Sequence, residues 1–255
     1  MKKKITATVL SQKEIAPRIF DMWIATELAA CAKAGQFIGV YPKDRSTLLP
    51  RPISICQVND KKDALRIVYR IAGQGTAEFS SYQEGDSVEI LGTLGNGFPT
   101  EGKKVFLMGG GIGIPPMLEL ARELPASTEK QIIVGYRDDQ LFLKEDLEKN
   151  GTVYIATEDG SVGTKGNVMN AIEENHLQAD VIFACGPMPM LRAIKKYAEE
   201  KKIKAYISLE EHMACGVGAC LGCVVKTKEV DHHSHVHNAR ICTDGPVFDA
   251  EEVEI

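Results

Sequence analysis

The sequence predicts a β plus α/β protein in three parts: an N-terminal antiparallel β-barrel over residues 1–100, a doubly wound parallel α/β unit over 101–207, and a small cysteine-rich subdomain over 208–255. Three observations carry this. Apolar residues alternate in twos through the first part, short apolar runs alternate with helix-period stretches from Lys104 onward, and after Ser208 glycine and cysteine replace both patterns. A length of 255 residues suits one large domain or two ordinary ones, at roughly 100 to 200 residues each.

In the first part the alternating sets are Ile5, Ala7 and Val9; Phe20, Met22 and Ile24; Leu65, Ile67, Tyr69 and Ile71; and Val88 and Ile90, with Gly, Pro and Asp clusters between them. A period of two buries one face of each strand, and closing such a sheet into a small barrel removes its exposed edges. In the second part, strands at 105–108, 131–136, 153–157 and 181–184 alternate with helices at 115–124, 141–149, 167–176 and 188–201. Strand alternating with helix makes a parallel sheet covered on both faces. The polar, His-rich stretch with His232, His233, His235 and His237 reads as a solvated loop, and a second metal site is the alternative.

Composition excludes several classes. With 44% hydrophobic and 25% charged residues the chain is not disordered or fibrous. A net charge of -5, one Trp and 6% aromatics provide neither the basic surface nor the stacking platform that nucleic acid asks for, and no attraction to an anionic membrane. No run approaches the ~18 apolar residues of a membrane span. The basic start at Met1–Lys4 precedes only a short, threonine-broken apolar stretch, which is not an export signal. The expectation is a cytoplasmic protein whose seven cysteines are reduced thiols or metal ligands.

Their spacing is the most specific feature. Cys215, Cys220 and Cys223 follow C-x4-C-x2-C, and Cys242 comes after 18 further residues, which matches the plant-type [2Fe-2S] ligand order. Ala214, Gly216, Gly218, Ala219 and Gly222 leave room for backbone N–H groups to approach the sulfurs. A four-cysteine zinc site and four unrelated thiols are the alternatives. Zinc ribbons favour two C-x2-C knuckles, and this chain has one.

Gly109, Gly110, Gly111 and Gly113, followed by Pro115 and Pro116, stand directly after a strand. A strand, a glycine turn and a helix opened by proline aim free N–H groups and the helix dipole at a dinucleotide pyrophosphate. Pro116 occupies the usual place of the third glycine, and a plain tight corner is the alternative. Arg51-Pro52-Ile53-Ser54 and the segment from Arg70 to Gly75 and Thr76 offer a phosphate-pairing guanidinium, a hydroxyl and backbone N–H groups, although each is also an ordinary strand edge or turn. Cys185, Gly186 and Pro187 sit at the carboxyl end of a strand, where open α/β sheets bind ligands, although a lone cysteine there is more often core.

The order Arg-Pro-x-Ser, Gly-x-Gly-Thr, glycine turn with proline, and Cys-Gly-Pro resembles the ferredoxin-NADP reductase superfamily. The tail from Glu210 through Cys223, with Cys242-Thr243-Asp244-Gly245-Pro246-Val247-Phe248, narrows the resemblance to the electron transfer subunits of the B-class dihydroorotate dehydrogenases. It spans the chain from about Ile5 to Phe248. The resemblance implies FAD on Arg51, Pro52, Ile53, Ser54, Val68, Tyr69, Arg70, Gly75 and Thr76. It further implies a [2Fe-2S] cluster on Cys215, Cys220, Cys223 and Cys242, and NAD over Gly109, Gly110, Gly111, Gly113, Cys185, Gly186 and Pro187. Cys185 would lie near the nicotinamide; no catalytic residue is otherwise assigned.

The implied activity is electron transfer in pyrimidine (UMP) biosynthesis. An FMN-bearing dihydroorotate dehydrogenase catalytic subunit, paired two and two as a heterotetramer, would pass single electrons through the cluster to FAD and then as hydride to NAD. Arg137 would suit a 2'-phosphate, whereas Asp138 and Asp139 would repel one, so NAD is favoured over NADP. The alternatives are a subunit of an NAD(P)H:ferredoxin or sulfide oxidoreductase, whose members often carry Asp at the first ligand position where this chain has Cys215, and a non-enzymatic iron-sulfur or zinc sensor, which would need no flavin.

One outcome follows from the spacing alone. Anaerobically purified protein should hold about two irons and two labile sulfides per chain, and Cys31→Ser, Cys56→Ser and Cys185→Ser variants should keep that iron on metal analysis. Stoichiometric zinc without visible charge-transfer absorption would contradict the assignment.

Overall fold

The computed structural model describes residues 2–44, 46–230 and 236–255. Six antiparallel strands close the first barrel: β1 (Lys3–Ala16), β2 (Ile19–Ala25), β3 (Phe37–Tyr41), β4 (Arg51–Val58), β5 (Ala64–Arg70) and β6 (Ser87–Leu94), in the order β1-β2-β5-β4-β3-β6. The alternation works as the periodicity requires. Ala7, Val9, Met22, Ile24, Leu65, Ile67, Tyr69, Val88 and Ile90 all point into one core with Ile38, Val40 and Ile55. A short helix α1 (Gln74–Phe79) plugs one end through Phe79, whose ring meets Tyr69 edge-on.

The second sheet is formed by β7 (Lys104–Gly110), β8 (Glu129–Tyr136), β9 (Thr152–Thr157), β10 (Thr164–Lys165), β11 (Val181–Cys185) and β12 (Lys204–Ser208), all parallel, in the order β10-β9-β8-β7-β11-β12. Helices α2 (Pro115–Glu123), α3 (Lys144–Glu148), α4 (Val168–Glu174) and α5 (Met188–Lys201) connect them. The strand order reverses direction between β7 and β11, which makes their carboxyl ends the place where such sheets take ligands. The expected helix at 141–149 is only Lys144–Glu148. Leu143 adopts a left-handed φ of 63°, and Phe142 and Leu143 are drawn into the core beside Tyr136, whose hydroxyl donates to the Phe142 carbonyl.

The tail does not stand apart. After the cysteine loop, β13 (Val224–Thr227), β14 (Asn238–Arg240) and β16 (Val253–Glu254) make a small antiparallel sheet, while β15 (Val247–Asp249) adds antiparallel to β12 as the seventh strand of the large sheet. Among the described residues no helix is long and apolar enough to cross a membrane.

Barrel and α/β unit are joined by buried polar contacts. Arg66 of β5 pairs with both carboxylate oxygens of Asp21 on β2, at 2.9 and 2.8 Å, and reaches Asp146 of α3 at 2.8 Å and Gln57 at 3.0 Å. Asp21 is 3% exposed and Arg66 8%. Removing one partner of a buried pair strands the other charge, so Arg66→Met should lower stability by about 3–5 kcal/mol in urea titrations, and the double variant Asp21→Leu/Arg66→Met should regain most of that loss. Equal stability for both variants would show that the pair carries no such constraint.

Candidate functional site

Where the barrel meets the α/β sheet, a cleft of about 750 Å³ opens, within the range of ligand sites (~300–1,000 Å³). Arg51, Pro52, Ile53 and Ser54 from β4, Val68, Tyr69 and Arg70 from β5, and Gly73 and Thr76 from the start of α1 line one side. Gly75 belongs with them by contact. A Cβ there would lie 2.9 Å from the Arg51 Nε, so the missing side chain is what lets the guanidinium rest on the turn. Thr76 closes that turn by accepting from the N–H groups of Ala72 and Gly73 at 2.8 and 3.1 Å. Tyr69 is held from behind, its hydroxyl donating to Gln12 at 2.7 Å and its ring stacked on Phe20.

The other side comes from the glycine turn, through Ile112, and from Ser208 to Met213. The turn and the Cys-Gly-Pro segment are brought together, since Cys185 pairs with Gly109 across β7 and β11. A Cβ on Gly113 would stand 2.4 Å from the Cys185 carbonyl oxygen, and one on Gly110 would stand 3.0 Å from the Pro187 ring. Gly111, with φ at 53°, faces open space. The helix start itself offers no free N–H, contrary to the sequence expectation: Pro115 and Pro116 have none, and those of Ile114 and Met117 are bonded to the Gly111 and Ile114 carbonyls at 3.1 and 3.0 Å, which leaves the donors to the glycine turn.

Glu210 is the cleft residue that the sequence did not single out. It follows β12, whose Ser208 lies opposite Cys185 in the parallel register, and the Cys185 thiol donates to its Oε1 at 3.8 Å. Burial pushes the Cys185 thiol up, and the Glu210 carboxylate adds to it. Glu210 keeps solvent access along the cleft, yet protein crowds its carboxyl, and that crowding raises its pKa against the pull of Cys185 and Arg70. His212 also lines the cleft. The available signal was positional: an acid two residues past the end of a parallel strand.

The cluster candidates follow directly. Cys215 and Cys220 lie toward solvent, whereas Cys223 and Cys242 are buried at 3% and 1% exposure. The N–H groups of Val217 and Ala219 donate to the Cys215 sulfur at 3.4 and 3.3 Å. Gly216 and Gly218 take left-handed φ values of 68° and 84°, which turn those N–H groups inward. Burial works to raise Cys215, but these N–H groups and Cys220 outweigh it and bring the thiol down to about 6. Burial, then the Cys223 thiol, push Cys242 up to about 12. Among the described residues no three His, Cys, Asp or Glu side chains gather as ligands of one ion. A centre of two bridged irons asks instead for two pairs of thiolates, and the contacts pair Cys215 with Cys220 and Cys223 with Cys242.

The turn that carries Cys242 is held by Arg240, which reaches both Asp244 carboxylate oxygens at 3.0 and 3.1 Å. Of the histidine-rich stretch, His232, His233 and His235 lie outside the described residues; the exposed His237 places Nδ1 3.1 Å from the Lys228 carbonyl.

Residues 210–254 match the model of the iron-sulfur cluster binding domain of dihydroorotate dehydrogenase B. The dihydroorotate dehydrogenase B (NAD(+)) electron transfer subunit of Streptococcus mutans is 42% identical over 256 residues, covering 98% of each chain. That of Bacillus pumilus is 42% identical over 264 residues, covering 99% of each. Among solved structures, one described as an NADH-dependent reduced ferredoxin-NADP oxidoreductase superposes with a TM-score of 0.87 at 27% identity, over 97% of this chain and 89% of its own. A ferredoxin NADP+ reductase from Neisseria gonorrhoeae, with a TM-score of 0.64 at 20% identity over 78% of this chain and 91% of its own, shares the fold. With a cleft and a paired-thiol loop built as described and a likeness that runs through nearly the whole of both chains, the protein belongs to the family of electron transfer subunits of dihydroorotate dehydrogenase B (NAD(+)).

Proposed function

We propose that this chain takes electrons one at a time at Cys215, Cys220, Cys223 and Cys242 from a catalytic subunit that oxidises dihydroorotate, and hands them on as hydride to NAD across the cleft. One observation carries the reading. The wall of the cleft runs through Glu210, His212 and Met213 and reaches Cys215 two residues later, so the flavin side and the cluster side share one stretch of backbone.

Bound FAD exchanges electrons in pairs with a nicotinamide and singly with a [2Fe-2S] cluster, and that conversion is the chemistry the relay needs. The chain's own groups do the rest. Arg51 and the N–H groups entering α1 bind phosphate, with Gly75 leaving space for the guanidinium. Pro52, Ile53, Val68 and Tyr69 shield the ring system, Ser54 and Arg70 orient its polar edge, and Thr76 keeps the turn closed. Gly109, Gly110, Gly111 and Gly113 admit the nucleotide pyrophosphate at the start of α2, with Gly186 and Pro187 opposite. The Cys185 thiol, buried behind the cleft, directs its proton to Glu210, which lines it. Asp138 and Asp139 favour a ribose hydroxyl over a 2'-phosphate.

In this reading residues 1–100 serve the flavin, 101–207 the nucleotide and 208–255 the cluster. The catalytic partner carries FMN, the assembly is a heterotetramer of two of each chain, and it works in the cytoplasm, where cysteine ligands stay reduced.

Loss of the guanidinium in Arg51→Ala should weaken flavin retention by about 1.5–3 kcal/mol, as for hydrogen bonds to charged groups, or roughly 10- to 100-fold. Flavin-to-protein absorbance after gel filtration measures it. In the assembled complex, Cys220→Ser should abolish NAD reduction by dihydroorotate while dye reduction at the catalytic subunit persists. Dihydroorotate-dependent NAD reduction by this chain alone would refute the division of labour.

A further inference from the structure

On α2, the side chains of Glu119, Arg122 and Glu123 are three and four residues apart and therefore share one face. That face grips the barrel by directional contacts. Glu119 Oε2 accepts from the Val58 N–H at 3.0 Å, and Arg122 Nε lies 3.4 Å from the same carboxylate. Arg122 also reaches Asp60 at 2.8 Å, and Glu123 accepts from the Ala34 N–H at 2.9 Å. Glu119 is 6% exposed, one of few buried charged residues described, and no step of the electron relay uses it.

The two elements joined here each end in the site. β4 carries Arg51 to Ser54 into the cleft and presents Val58, its last residue, to Glu119. α2 begins immediately after the glycine turn, and Glu119 lies four residues beyond Pro115, about 6 Å along the helix axis. A rotation of α2 against β4 would therefore move the nucleotide end relative to the flavin end. An apolar side chain would fill this position without the cost of burying a carboxylate; the carboxylate adds a fixed direction to the contact. Burial raises the Glu119 carboxyl, and the Val58 N–H and Arg122 pull it back.

We propose that Glu119 is a positioning residue for hydride transfer: by tying the end of β4 to α2 it sets the spacing between flavin and nicotinamide. The inference rests on the flavin and nucleotide reading above. Its test is single-turnover reduction of the flavin-loaded full chain by NADH, with flavin content and NADH affinity measured beside it. Glu119→Gln, which still accepts from Val58, should keep the wild-type rate within about twofold, while Glu119→Leu should lose about 10- to 100-fold, the scale of an ångström of misplacement. Flavin content and NADH affinity should stay unchanged in both.

A wild-type rate in Glu119→Leu, or a loss matched by equal losses of flavin or NADH binding, would overturn the proposal. Should Glu119→Leu fail to fold, Glu119→Met keeps the length of the side chain and removes the acceptor of the Val58 N–H; a rate loss at unchanged binding supports the proposal, and a wild-type rate overturns it. A wild-type chain that binds no flavin, or whose flavin NADH does not reduce, would instead overturn the functional reading and this proposal together.

Discussion

A single backbone bond, from the Asn96 N–H to the Gly245 carbonyl at 2.7 Å, joins the parts of the chain that must meet. Asn96 follows the last barrel strand, and Gly245 lies three residues past Cys242. The Asn96 side chain adds donors to the carbonyls of Thr243 and Asp244, and Gly95 has no side chain because Pro246 stands 2.4 Å from where its Cβ would be. One residue past Pro246, β15 enters the large sheet. Barrel, sheet and cysteine loop are thus fastened at one junction, and Pro246 itself lines the cleft.

The rest of the architecture keeps that junction rigid at acceptable cost. Buried charges are expensive unless fully partnered, and the barrel interface places its charged groups where partners are complete: Asp21, Gln57 and Asp146 around Arg66, and Val58 and Arg122 around Glu119. No buried side-chain polar atom among the described residues lacks a hydrogen bond. The cleft differs. Its polar groups, Arg70, Glu210, Glu211 and His212, remain open to solvent, as a site for a charged, polar-edged ligand requires.

The cysteine loop divides its four thiols by environment. The outer pair lies near solvent under inward-turned N–H groups, and the inner pair is buried in the apolar core with Ile241 and Phe248. Outward placement of Cys215 and Cys220 leaves their sulfurs close to the surface, while the backbone toward Met213 leads back to the cleft. Exposed Val217 and Leu221 flank that outer pair.

Much of this was legible in the sequence because it depends on neighbours along the chain. Period-two alternation selected the barrel strands β1, β2, β5 and β6, whereas β3, buried almost throughout, has no alternation to read; strand-helix alternation selected β7, β8, β9 and β11 of the parallel sheet, and helix 188–201 matches its element end to end. The C-x4-C-x2-C spacing marked the cysteine loop for the same local reason, since three sulfurs on one tight turn can be read from the turn itself. Tertiary structure alone decided what depends on distant residues. The left-handed Leu143 shortened a helix because the core claimed Phe142 and Leu143; β15 joined a sheet formed about forty residues earlier in the chain; and Glu210 entered the site because β12 lies beside β11. Along the chain Glu210 carries only its place past a strand end, and Glu119 only its place on a helix. Their partners, Cys185 and Val58, are 25 and 61 residues away, and only the closed fold brings them together.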